Sequence, residues 1–285
     1  MISDTLKNPL SMFDVRGKSA IITGASGAFG RGCALMLASL GANLTLASGS
    51  KAELDTVADE VKSLGGKVTV VYRRPDTLAD GEAMLKAALE AYGRVDQLIV
   101  ASGFNKAGFI HEMKYEDWQA VMDANVRGEW FMAKAVGTYW ISAKVKGKML
   151  MMSSVRGRHG NISGYTGYCA SKGATDALTR VLATEWAKHG ITVNSIAPTV
   201  FRSKLTAWMY GDDELGQATR ARSLAVAHSP GPARRGRGSD GHGALSVVAG
   251  VGLLYRPSRL CRWRLHRRLI FFRRHCEERS DEAIH

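Results

Sequence analysis

The chain has 285 residues, 45% hydrophobic and 23% charged, with six prolines and 31 glycines. Such a composition excludes collagen-like and disordered chains and is long enough to bury one large core or two small ones. The four cysteines (Cys33, Cys169, Cys261, Cys276) form no C-x-x-C pair, which argues against a disulfide scaffold or metal module and fits a reducing cytoplasm. No basic stretch followed by an apolar run opens the sequence, and no apolar run reaches the ~20 residues of a membrane helix. A cytoplasmic protein without secretory or membrane segments is therefore expected.

The net charge of +13 is unevenly spread. Residues 1–225 carry 27 basic and 21 acidic side chains, the basic ones mixing 15 lysines with 12 arginines. Residues 226–285 carry 12 basic and 5 acidic, and all twelve are arginine. The composition breaks near residue 225.

Before that break, strand and helix signals alternate. Short apolar runs at 18–23, 42–47, 67–72, 95–101, 148–153 and 191–197 read as buried strands. Amphipathic stretches ending near Leu40 and covering 51–64, 78–92, 115–144 and 167–189 read as helices, with glycines at several ends. Alternation of this kind predicts right-handed crossovers and an α/β, Rossmann-type doubly wound parallel sheet in three layers.

The turn Thr23-Gly24-Ala25-Ser26-Gly27-Ala28-Phe29-Gly30 falls between the first strand and first helix. In a doubly wound sheet this is where a dinucleotide pyrophosphate meets backbone N–H groups, and glycine permits the close approach. A tight structural turn is the competing use. Tyr168-x-x-x-Lys172 places a phenol and an ammonium on one helix face. A free phenol, with a pKa of ~10, is a poor base near neutrality, and a neighbouring cation favours its anion. The phenol then exchanges a proton with an alcohol or carbonyl. Ser153-Ser154 ends the fifth strand, where a hydroxyl faces the ligand crevice of an open α/β sheet, or caps a turn.

Together these residues resemble the short-chain dehydrogenase/reductase family, from about Phe13 to about Ala225. The parts appear in family order: the glycine turn, Asp96 opening strand four, Asn125 in Asp-Ala-Asn-Val-Arg-Gly, Ser154, Tyr168 with Lys172, and Asn194-Ser-Ile-Ala-Pro198. The resemblance implies a Ser-Tyr-Lys-Asn tetrad. Tyr168 is then the acid/base and Ser154 polarises the carbonyl. Lys172 supports the phenolate and binds the nicotinamide ribose, and Asn125 holds a relay water. It further assigns cofactor contacts to Gly24, Ser26, Gly27, Phe29, Gly30, Ser48, Lys51, Asp76, Ala101, Gly103, Tyr168, Lys172, Pro198 and Thr199. No metal is implied. The pattern departs from the family at Ala28, where a glycine is usual, at Ala101-Ser102-Gly103 in place of N-N-A-G, and at Pro198-Thr199 in place of P-G. The stretch from Ser154 to Tyr168 is one residue longer than usual.

An acid at the end of strand two favours NAD by accepting the ribose hydroxyls and repelling a 2′-phosphate. Ala47-Ser48-Gly49-Ser50-Lys51 has none. With Ser48 and Lys51 as phosphate acceptors, and Arg31 after the glycine turn, NADP is expected ahead of NAD. A solvated Lys51 is the plainer alternative.

After residue 225 the helix, seventh strand and glycine pair that such a fold needs do not appear. Arginine clusters at 234–237 and 262–268 stand there instead. Degenerate codons for Leu260–Ile270, read one base later, permit Tyr-Ala-Asp-Gly-Gly-Tyr-Thr-Ala-Gly-stop. Similar family-like windows open, in the same frame, over 251–257 and 228–233. The expected organisation is thus a catalytic domain at 13–225 and an aberrant, out-of-frame, disordered tail at 226–285, with the last strand missing or replaced. The product is then expected to fold poorly and to be impaired. The small-molecule partner is an alcohol or carbonyl compound of unreadable identity, and neither nucleic acid nor membrane is expected. The resemblance implies a homo-oligomer for an intact member, an assembly in doubt for this chain. The rival reading is a non-catalytic dinucleotide-binding regulator whose arginine tail contacts nucleic acid.

Overall fold

A computed structural model describes residues 8–161, 164–199 and 270–271. Six strands run parallel: β1 (Ser19–Thr23), β2 (Asn43–Ala47), β3 (Lys67–Val71), β4 (Gln97–Val100), β5 (Lys148–Met152) and β6 (Thr192–Ala197). The helices between them are α1 (Ala28–Ser39), α2 (Lys51–Ser63), α3 (Leu78–Tyr92), α4 (Tyr115–Met122), α5 (Gly128–Ser142) and α6 (Thr166–Trp186). The two-residue strand β7 (Ile270–Phe271) pairs antiparallel with the end of β6, giving the order β3-β2-β1-β4-β5-β6-β7. The expected three-layer Rossmann sheet is therefore present. Its last position holds a short strand of reversed direction, not a crossover-fed parallel one. The boundary at 225 and nearly all of 226–285 lie outside the described residues.

Strand residues alternate between two cores, as a pleated strand requires. Ala20 and Ile22 of β1 pack with Leu37 of α1 and Leu54 and Val57 of α2. Ile21, between them, packs on the opposite face with Met84 of α3, Met132 and Trp140 of α5, and Trp186 of α6. Being apolar on both faces, the strands read in sequence as unbroken hydrophobic runs. The helix ends follow local chemistry. Thr77 and Asp80 form a capping box at the start of α3, and Gly93 closes it at φ +69°. No helix among the described residues is long and apolar enough to cross a membrane.

Two features position the site. The strand order reverses between β1 and β4, so their carboxyl ends open a crevice. The long helical stretch expected over 115–144 is interrupted at Asp123–Arg127 by a single π turn carrying Asn125. Such a bulge re-aims a side chain without ending the helix.

Candidate active site

The glycine turn lines one wall of the crevice. Gly24 adopts φ +61°, and a Cβ there would stand 2.5 Å from Ser102 N. A Cβ on Gly30 would stand 2.2 Å from Gly24 O. Only glycine fits these two positions. Ala28 is exposed at the first position of α1, so its methyl group enters solvent and the departure from the family pattern costs no packing. Gly27 caps α1 without a side chain, leaving first-turn N–H groups for an anion. Ser102 replaces the usual asparagine by bonding Thr23 Oγ1 at 3.1 Å, tying the ends of β1 and β4 together.

A cleft of about 180 Å³ is lined here by Gly24, Ser26, Gly27, Ser48, Asp76, Ala101 and Gly103, seven of the expected cofactor residues. This open cradle, where Gly24 leaves no room for a Cβ, fits the pyrophosphate of a dinucleotide. Phe29 and Gly30 lie in the helix start beside it. Pro198 stands at the same strand edge, its carbonyl accepting from Val155 N at 3.1 Å, and Thr199 is exposed beyond it.

The basic side chains are arranged differently from the expectation. Lys51 does not line the cleft: its ammonium bonds Asp55 at 2.8 Å and Tyr72 Oη at 3.3 Å. Arg31 is held by Glu60 at 2.7 Å. The cation that reaches the end of β2 comes from the far side of β3. Arg74 lies so close over Gly49 that a Cβ there would meet its Nε at 2.9 Å. Ser26 and Ser48 share a 2.7 Å hydrogen bond beside it. The Arg73-Arg74-Pro75 run was visible in the sequence, but nothing local showed that it folds back across the β2 turn.

The second half of the site is built on α6. Lys172 is 3% exposed, and its Nζ donates to Met152 O at 2.6 Å. A Cβ on Gly103 would lie 4.0 Å from that Nζ and 3.1 Å from Asn125 Oδ1, so the ammonium faces the cleft. Tyr168 is half-buried one helical turn earlier on the same face, its ring edge-on to Tyr165 at 6.0 Å. Burial raises the Tyr165 hydroxyl above its ordinary range. Asn125 is fully buried. Its Oδ1 accepts from Phe104 N at 2.7 Å, and its Nδ2 donates to Phe104 O and Ser171 Oγ at 2.8 and 2.9 Å. The side chain thus clamps the β4 loop to α6. Ser153 and Ser154 divide their tasks. Ser153 Oγ is committed to Asp176 at 2.5 Å. Ser154 Oγ accepts from Arg156 N at 3.2 Å, capping a short 3-10 turn, and keeps its own proton for another acceptor. That turn packs against Lys172 through Gly157, where a Cβ would meet Lys172 O at 2.8 Å. Residues 162 and 163 of the lengthened loop lie outside the described residues.

Glu129 escaped the sequence reading. It is fully buried on α5 and faces Lys172 Nζ at 3.5 Å, while its other oxygen accepts from Thr175 Oγ1 at 2.8 Å. Desolvation pushes its carboxyl up to about 7, against the opposing pull of Lys172 and Thr175.

A glycine cradle at a sheet's switch point, with a tyrosine–lysine helix face beside it, is an arrangement suited to an oxidoreductase that uses a dinucleotide. The family pattern for short chain dehydrogenase matches residues 18–212, and the chain belongs to that family. It is 50% identical over 217 residues to an uncharacterized oxidoreductase of Mycobacterium tuberculosis, covering 76% of this chain and 79% of the relative. The oxidoreductase UcpA of Salmonella typhimurium is 38% identical over 194 residues, 68% of this chain and 73% of the relative. Among solved structures, carveol dehydrogenase from Mycobacterium avium in complex with NAD aligns at 27% identity. It covers 65% of this chain and 71% of that one, with a TM-score of 0.62. These similarities are to oxidoreductases and lend no support to a nucleic-acid-binding regulator.

Proposed function

We propose that this chain is built to interconvert an alcohol and a carbonyl compound with NADP(H), and with NAD(H) as the second choice. The carrying observation is the placement of the Lys172 ammonium, buried and aimed at Gly103 in the cleft, one helical turn from Tyr168. Bound nicotinamide supplies or accepts the hydride. Tyr168 exchanges the proton with the substrate oxygen, and Ser154 donates a hydrogen bond to that oxygen. Lys172 stabilises the phenolate and holds the ribose. Asn125 keeps the 103–104 backbone in place around the relay. Reduction of small carbonyl compounds at the expense of NADPH, lost in Tyr168→Phe, is the test.

The case for NADP rests on the absence of a carboxylate at the end of β2 and on Arg74 beside Ser48 and Gly49. Charge-assisted hydrogen bonds contribute about 1.5–3 kcal/mol. Arg74→Ala is thus expected to weaken NADPH binding roughly 10- to 100-fold and leave NADH affinity nearly unchanged. Lys51→Ala should alter neither. Quenching of intrinsic fluorescence measures all four affinities, and equal losses for the two cofactors in Arg74→Ala would remove the argument for NADP.

We place the protein in the cytoplasm, where the free thiols of Cys33 and Cys169 would stay reduced. Burial pushes the Cys33 thiol up to about 12, which leaves it inert. We also propose that the catalytic unit ends near residue 225 and that 226–285 is translated out of frame. The arginine-only composition and the shifted codon windows support this, and sequencing the gene around codon 225 tests it. An altered C-terminus is not expected to keep the homo-oligomer of an intact family member.

A further inference from the structure

Glu129 has no part in the tetrad, yet it is the acid that faces the tetrad's lysine. A fully buried carboxyl group is costly unless it is paired and hydrogen-bonded. Lysine has three N–H donors. One is taken by Met152 O at 2.6 Å, one side faces Glu129 Oε1 at 3.5 Å, and the remaining side faces Gly103 and the cleft. At 3.5 Å the carboxylate acts as a counter-charge, beyond the range of a strong hydrogen bond. Its second oxygen accepts from Thr175 Oγ1 at 2.8 Å, which fixes the carboxyl group to α6 from behind.

We infer that Glu129 is a positioning residue for the proton-transfer machinery: it holds the Lys172 ammonium from behind and sets how much of its positive charge reaches Tyr168. The inference rests on the reading of Tyr168 as acid/base. When Glu129 is ionised, its charge offsets that of Lys172 and support for the phenolate is weaker. When it is protonated, the charge of Lys172 is felt whole. The charged groups facing Glu129 are Lys172 and Asp176, both on α6, and among the described residues no ion pair reaches it from α3 or β4. Asp176 disfavours its ionisation and Lys172 favours it. Since its carboxyl is raised to about 7, the offset engages as the pH rises through neutrality. The counter-charge also keeps the buried ammonium in place, so the arrangement exchanges some activation for a fixed geometry.

The test uses the full chain without cofactor. Phenolate absorbance in the near ultraviolet is followed against pH, and the same titration of Tyr168→Phe is subtracted to isolate the Tyr168 step. Glu129→Gln keeps the side-chain size and removes the charge. It is expected to move that step to lower pH by about one unit, a tenfold change in proton affinity. Thr175→Val, which removes the donor that favours the Glu129 anion, is expected to move it in the same direction by less, and serves where Glu129→Gln fails to fold. A Tyr168 step left unmoved or moved to higher pH, in variants that melt cooperatively, overturns the inference. Turnover retained in a well-folded Tyr168→Phe chain overturns the acid/base reading itself, and the inference with it.

Discussion

A chain whose reading frame is restored after residue 225 is expected to melt up to about 10–20 °C above the present one. Strand β6 shows why. One edge pairs with β5 over its whole length, whereas the other meets β7 only at Ile196 and Ala197. Thr192 to Ser195 therefore lack a strand partner on that side among the described residues, although Val193 and Ser195 are buried. A parallel strand fed by a helix would pair that edge and cover apolar surface on the order of 200 Å², contributing about 5 kcal/mol at most. That is comparable with the ~5–15 kcal/mol net stability of a typical domain. In a domain of ~150–250 residues each kcal/mol shifts the melting temperature by about 2–4 °C. The measurement is a thermal melt of both chains followed by circular dichroism. Coincident melts would show that the segment after 225 contributes nothing an in-frame one could improve, and the frame argument would lose its physical consequence.

The fold was legible because the parallel strands are buried on both faces. Ala-Ile-Ile in β1 and Met-Leu-Met-Met in β5 stand out as unbroken apolar runs between glycine-punctuated helices. The site was legible where backbone conformation dictates residue type, as at Gly24 and Gly30, and where helical spacing brings two groups together, as at Tyr168 and Lys172. Partner choice was not legible. Lys51 stands in the sequence where a phosphate-binding cation would stand, but Asp55 lies one turn along the same helix and captures it. Arg74 follows β3 in sequence and lies against the β2 turn in space, because adjacent parallel strands bring their carboxyl ends together. Glu129 follows Arg127-Gly128 and reads as one more surface charge. The π turn just before it is invisible to an apolar periodicity of 3.6, so the face on which Glu129 falls could not be deduced. Periodicity reports which face of an element is buried, and the identity of a polar partner depends on elements distant in sequence.

Tyr168→Phe is expected to lower turnover at least about 100-fold, within the 10²–10⁴ range of general acid–base catalysis, while leaving NADPH affinity unchanged. A hundredfold loss corresponds to ~2.7 kcal/mol of transition-state stabilisation. The substitution suits the question because it removes one oxygen and keeps the ring, whose edge-on contact with Tyr165 at 6.0 Å is preserved. Lys172→Met would answer a different question. It strips the counter-charge from a fully buried carboxyl group and leaves Met152 O without its donor, so stability, cofactor binding and turnover should fall together. The pH dependence of that instability has a definite sign. Glu129 in the folded chain binds its proton more tightly than the ordinary 4.5 of an unfolded glutamate. Its contribution to stability is thus complete below that value and is lost as the pH rises through about 7. Without Lys172 the anion has still less support, and the loss should continue to higher pH than in the wild type. Tyr168→Phe leaves the Glu129–Lys172 pair intact and should follow the wild-type stability curve from acid pH through neutrality. Separate curves for the two variants, with turnover lost in both, would divide the chemistry of the phenol from the structural duty of the lysine. Turnover above a tenth of wild type in a well-folded Tyr168→Phe protein would assign the proton to another group.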